Sequence, residues 1–239
     1  MVLYPAMPTP LRRPALALLP VVLLVLSATR AAAGFLGSNA PDPIVLLAPP
    51  PTAGTDEARD DLDNTARIFA RRTPTQVALG KSEADLTVFA FAPVIGDFFS
   101  PGRFPKTEAL FKAVSAEASA VTSTAKIHWN RPRPYVADPA RFPELVLREP
   151  SPSYPSGHST RGTLYSILLS ELFPEKRDAL LEAGRTAGWV RVEIGVHYPS
   201  DVYAGRVLGR ALAQAFLRSP EFQQALAEAR AELAAPVAK

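Results

Sequence analysis

No cysteine occurs in the 239 residues, which excludes a disulfide scaffold, thiolate-held zinc, iron–sulfur clusters and a cysteine nucleophile. Histidine is scarce, with three in all, so any catalysis has few imidazoles to draw on. A strong charge of either sign is missing too, since 26 Lys plus Arg against 23 Asp plus Glu leave +3. Three of the basic residues, Arg12, Arg13 and Arg30, lie in the first 33 residues, which contain no acid. The rest of the chain is therefore close to neutral, and a nucleic-acid partner loses its main electrostatic support. Apolar–polar alternation of the kind that marks strands is nearly absent. What is present, 47% hydrophobic residues with 21% charged, suffices for a sizeable core and excludes wholesale disorder.

Residues 1–33 have the three parts of an export signal: Arg12 and Arg13 in front, an apolar stretch over residues 14–28, and the small-residue exit Ala31, Ala32 and Ala33. The apolar stretch is shorter than the ~20 residues that span a bilayer, and Pro20 interrupts it. The pattern predicts cleavage near Ala33 and a mature protein without a stable membrane span. Export without cysteine fits a bacterial periplasm.

Residues 34–54, with Pro49, Pro50 and Pro51 consecutive, read as an extended arm. Ile44, Val45, Leu46 and Leu47 are expected to lay it along the body. From residue 55 to 239 helical periodicity takes over. It predicts helices over residues 56–72, 82–99 (capped by Ser82 with Asp85, kinked at Pro93), 107–128, 156–173, 176–194, 199–217 and 220–234, with a loop over 130–155. The expected fold is all-α, a single domain of about seven helices.

Three short clusters carry chemistry. The first sends two cations, Lys126 and Arg133, from a helix end into a loop stiffened by Pro132 and Pro134. Arginine donates two parallel hydrogen bonds to an oxyanion, and lysine adds a point charge. The second, Pro155-Ser156-Gly157-His158, sits where a loop becomes a helix. Unpaired N–H groups there suit an anion, with the Ser156 hydroxyl and Gly157 N–H as close donors and His158 beside them to pass a proton. In the third, Arg191 is followed by His197 and Asp201, and Pro199 suits the first position of a new helix. Asp201 then falls in the first turn, where it can accept the Nδ1–H of His197 and leave Nε2 with its lone pair. Taken singly, the clusters also read as a basic helix end, a serine-capped helix start and a histidine satisfied near a cap.

Together the clusters read Lys-x6-Arg-Pro, Pro-Ser-Gly-His and Arg-x5-His-x3-Asp. This resembles the signature of the type 2 phosphatidic acid phosphatase superfamily and, more closely, the bacterial class A non-specific acid phosphatases. The likeness extends to the proline-rich arm, Arg131 to Pro134, Ser153-Tyr154 and Ser200-Asp201-Val202, and covers essentially the whole chain after the signal. It implies a helical bundle and an exported phosphatase acting on small-molecule phosphate monoesters through a phosphohistidine, with no metal or other cofactor. By position it makes His197 the nucleophile, Asp201 its orienting partner and His158 the proton donor to the leaving alcohol and later the base for water. Lys126, Arg133, Arg191, Ser156 and the Gly157 N–H hold the non-bridging oxygens. One departure is Val190, where the family usually has serine before the arginine. His128 lies off the signature and reads as a packing or helix-end residue.

A metal hydrolase would need His158 and His197 as ligands together, beside three cations that repel a metal ion. A vanadate-dependent haloperoxidase resembles this family in the same clusters, and an inert exported phosphate-binding protein is the alternative from another class. The preferred monoester, set by the loops over 96–105 and 136–154, is left open by the sequence, as are phosphotransfer and homo-oligomer formation.

Overall fold

Proline, at 25 residues, opens helices in this protein more often than it breaks them. The computed structural model describes Met1 and residues 34–235; apart from Met1, the segment read as an export signal lies outside the described residues. Within them the α-helical segments are α1 Pro43–Leu46, α2 Asp56–Ala70, α3 Pro74–Ser82, α4 Ala92–Ile95, α5 Pro105–Trp129, α6 Pro134–Ala137, α7 Gly157–Leu172, α8 Arg177–Glu193, α9 Pro199–Arg218 and α10 Pro220–Ala234. Six of the ten begin on proline, at the position whose N–H has no helical partner and whose φ the ring presets. Seven run longer than a single turn, and among the described residues there is no strand. The protein is an all-α helical bundle.

The core forms around α7, whose Leu164, Leu168 and Leu169 are wholly buried against α8 and α9. Phe111, Leu208, Leu212, Phe216 and Phe222 complete it, each such side chain contributing ~1.5–3 kcal/mol by leaving water. A second cluster, Ala66, Phe69, Tyr135 and Phe142, ties α2 to α6 and the segment after it. At one point α9 touches the start of α7 backbone to backbone: a Cβ on Gly205 would lie 2.6 Å from the Ser156 carbonyl oxygen. The bare glycine lets the third cluster close onto the second, and the Ser156 N–H donates to the Asp201 carbonyl at 3.0 Å.

The arm departs from the expected extended form. Asp42 caps the single turn α1, Leu36 and Leu47 are buried, and the N–H groups of Phe35 and Leu36 donate to the Glu117 carboxylate at 2.8 and 2.9 Å. Val45, expected to pack, is 84% exposed.

The expected helix over 82–99 is incorrect. A capping box of Thr73 with Gln76 starts α3 earlier, at Pro74, and α3 ends at Ser82. Pro93 lacks the N–H a helix interior requires and its ring collides with the preceding turn, so it sits in the first turn of the separate α4. Among the described residues no helix is long and apolar enough to cross a membrane.

Candidate active site

The turn between α8 and α9 carries His197. Gly195, at φ +75°, reverses the chain where a side chain would be strained, and the N–H groups of Val196 and His197 both donate to the Arg191 carbonyl at 2.9 and 3.1 Å. Tyr198 caps α9, Pro199 is its first residue and Asp201 lies in its first turn. Asp201 is wholly buried and its carboxylate is fully used. Oδ1 accepts from Arg131 Nη1 at 2.7 Å. Oδ2 accepts from the Ser153 hydroxyl at 2.5 Å, the Tyr198 N–H at 3.0 Å and His197 Nδ1 at 3.1 Å. Arg131 continues through Nη2 to Asp61 on α2 at 2.8 Å and lies over the Tyr198 ring. On the other side of the imidazole, Arg133 Nη1 stands 3.2 Å from Nε2. A guanidinium only donates, so Nε2 holds a lone pair and Nδ1 the proton.

Ser156 is the N-cap of α7. Its hydroxyl accepts the Ser159 N–H at 3.3 Å, a use of one lone pair that leaves its proton to donate. Gly157 opens the helix with its N–H among the unpaired donors, and a Cβ there would meet nothing within 4 Å. His158 is buried, and its Nε2–H donates to the Glu83 carbonyl at 2.8 Å. That carbonyl is free because α3 stops at Ser82. The Gly80 carbonyl in the last turn of α3 accepts from Arg191 Nη1 at 3.4 Å, so the end of one short helix orients two of the site's side chains.

Lys126, on the last turn of α5, donates to the carbonyls of Pro152 and Ser153. Arg133 donates through Nε to the Ser151 carbonyl at 2.8 Å and through Nη1 to that of Val196 at 3.0 Å. Arg191 is wholly buried; its Nη2 meets Glu149 at 2.7 Å, while its Nε has no partner. Lys126, Arg133, Gly157, His158 and His197 line one cavity of about 400 Å³, together with Glu149, Arg161 and residues of α5. Ser156, Arg191 and Asp201 stand behind that lining. Val190, on α8, is 0% exposed, and His128 lies at the exposed end of α5 with its ring edge-on to Trp129.

The cations crowd one another. Burial first, then Arg133, pushes the Lys126 ammonium down to about 7. Burial, then Arg191 and Arg161, pushes His158 down to about 3. His197 is held well below its ordinary value by burial, then by Arg133 and Lys126. Since these groups resist protonation when folded, the unfolded chain binds their protons first. Stability falls as pH drops from 10.5 toward 7 through Lys126 and from 6.5 toward 3 through His158. A bound oxyanion reverses the sign, because it favours each protonated form. Sulfate, whose charge is constant through the neutral range, should therefore bind with proton uptake, its affinity falling by up to about tenfold per pH unit above pH 7. Calorimetry in buffers of different ionisation enthalpy measures that uptake; an affinity flat across neutral pH would refute the coupling.

Several residues at the site have no role that spacing reveals. Asp61 and Arg131 are 70 positions apart, Glu149 and Arg191 are 42 apart, and the Glu83 carbonyl is backbone. Ser153 and Arg131 sit inside the motif-bearing segments, and only the fold shows that both bond Asp201.

A family profile described as the PAP2 superfamily matches residues 109–225, the segment that carries all three clusters. A non-specific acid phosphatase from Salmonella typhimurium is 33% identical over 195 residues, covering 77% of this chain and 78% of that protein. An acid phosphatase from Zymomonas mobilis is 32% identical over 201 residues, covering 80% and 75%. A lipid A 1-phosphatase from Rhizobium etli is 44% identical over 57 residues, 24% of this chain and 25% of that protein.

Proposed function

This chain belongs to the PAP2 superfamily, and from that premise we propose that it is an acid phosphatase that hydrolyses small-molecule phosphate monoesters through a phosphohistidine on His197, without a metal. The observation that carries the reading is the polarity of that imidazole: Nδ1–H on Asp201, and Nε2 with its lone pair turned toward Arg133 in a cavity lined by cations. Support for a metal-free site comes from the acids around it: Asp201 and Glu149 are each held by an arginine, and Asp85, the other carboxylate of the lining, belongs to no group of three metal-ligating side chains among the described residues.

In the first step the phosphoryl group sits among Lys126, Arg133, Arg191, the Ser156 hydroxyl and the Gly157 N–H. His197 Nε2 attacks phosphorus as the bond to the ester oxygen breaks, and protonated His158 gives its proton to the departing alkoxide. Neutral His158 then takes a proton from water as the oxygen attacks phosphorus; the P–N bond breaks and phosphate leaves. Positioning and charge stabilisation dominate such transfers, and Asp201 stabilises the imidazolium at each stage. In the free site His158 is neutral, so the dianionic substrate itself raises its proton affinity and readies the acid.

Hydrolysis of nitrophenyl phosphate should persist with a chelator and be inhibited by vanadate; activity lost on chelation and restored by zinc or magnesium would overturn the metal-free reading. His158→Ala should lose about 10²–10⁴-fold on an alkyl phosphate, whose leaving oxygen needs a proton, and far less on nitrophenyl phosphate. Equal losses on both would remove His158 from the role of acid. We further propose that residues 1–33 direct the protein to the periplasm and are removed; a mature protein beginning near Gly34 on N-terminal sequencing tests this.

A further inference from the structure

Arg161 is a cation of the cavity that the steps above do not use. It lies three residues beyond His158 on α7, the spacing that stacks side chains on one helix face. Both side chains line the cavity. The other cations are engaged: Lys126 and Arg133 on loop carbonyls, Arg191 on Glu149 and Gly80. Among the described residues the Arg161 guanidinium has neither a hydrogen-bond nor an ion-pair partner, and its Nε is buried without one. Asp85 and Glu149 share the lining, but neither comes within ion-pair distance of Arg161, and a partly buried arginine beside other cations is unfavourable unless an anion completes the site.

On the phosphatase reading, the three non-bridging oxygens of one phosphoryl group are met by Lys126, Arg133 and the Gly157 N–H, which line the cavity, with Arg191 and Ser156 behind them. Arg161 is therefore surplus to the transferred group. His158 faces the leaving oxygen, so the alcohol portion of the substrate passes along the His158 side of the cavity, where Arg161 stands. We propose that Arg161 binds a second oxyanion, carried by the leaving portion of the substrate, so that the preferred substrates are phosphate esters or anhydrides whose leaving group is itself anionic. The inference rests on the phosphatase reading for the direction in which the leaving group lies. The planar guanidinium suits either a carboxylate or a second phosphoryl group, each accepting two parallel hydrogen bonds.

A matched pair of alkyl esters, 3-phosphooxypropanoate and its uncharged amide, isolates the second charge at constant leaving-group chemistry. For Arg161→Gln the ratio of kcat/KM, acid over amide, should fall about tenfold, the size of one charge-assisted contact. Arg161→Lys, which keeps the charge and loses the fork, should recover part of it. Titration calorimetry with methylenebisphosphonate, whose P–C–P bridge cannot be hydrolysed, and orthophosphate gives an arm that needs no turnover: Arg161→Gln should weaken the bisphosphonate about tenfold more than orthophosphate. Equal weakening of both anions, or an unchanged ratio in a variant that melts like the wild type, would overturn the assignment. Failure to hydrolyse either ester would instead remove the phosphatase reading, and the two binding constants would still decide whether Arg161 holds a second oxyanion.

Discussion

Replacing His197 with alanine should lower monoester hydrolysis by roughly 10⁴-fold or more, the scale of loss when the bond-forming member of a catalytic unit is deleted. Within the described site no other nucleophile shares its setting, since Lys126 is turned onto two carbonyls and Ser153 donates to Asp201. The fold should survive. The imidazole supplies one of four hydrogen bonds to Asp201, and Arg131, Ser153 and the Tyr198 N–H keep theirs. Phosphate should still bind, because the cations and the start of α7 are untouched. A quenched reaction with a radiolabelled ester checks the chemistry directly: the wild type should yield an acid-labile, alkali-stable phosphoprotein, as a P–N bond requires, and the variant none. Turnover within about a hundredfold of wild type would place the nucleophile elsewhere.

Asp201→Asn should be nearly as severe and should also cost stability. The carboxylate accepts four donors from within the fold, one on Oδ1 and three on Oδ2. An amide has one acceptor oxygen, so its NH₂ must face either Arg131 or the group of Ser153, Tyr198 and His197, donor against donor. Arg131 keeps Asp61 but loses half of its neutralisation. Unpairing a buried ion pair costs ~3–5 kcal/mol, which for a chain of this size lowers the melting temperature by roughly 10 °C. If the amide nitrogen points at the imidazole, Nδ1 must accept and Nε2 carries the proton, so the attacking lone pair is lost. A fall of about 10³–10⁴-fold in kcat is expected, as when the orienting acid of another histidine-based unit is made an amide. Activity within about tenfold of wild type, in a protein that melts normally, would show that Asp201 supports the fold without orienting the nucleophile.

Relations within a few residues were determined by the sequence. Pro199 opening α9, with His197 just before it and Asp201 in its first turn, follows from the preset φ of proline and the pitch of a helix. Ser156 capping α7 ahead of Gly157 and His158 is equally local. The amphipathic spacing of α5, α9 and α10 needs only a helix and a core to face. The helix placed over 82–99 failed because Ser82 with Asp85 imitates a cap: the sequence offers two capping patterns, and only the packing of Phe91, Phe99 and their neighbours into the core chooses the break.

That choice reaches the active site, since ending α3 at Ser82 frees the carbonyls that hold His158 and Arg191. The Asp61–Arg131–Asp201 chain, the grip of Glu149 on Arg191 and the unpartnered Arg161 were likewise decided by tertiary structure alone. A local pattern states what a residue is and which way its own helix turns it. Which distant charge neutralises it, and which cation is left without a partner, depends on how α2, α7, α8, α9 and the loop before α7 close on one another, and that closure is a property of the packed chain.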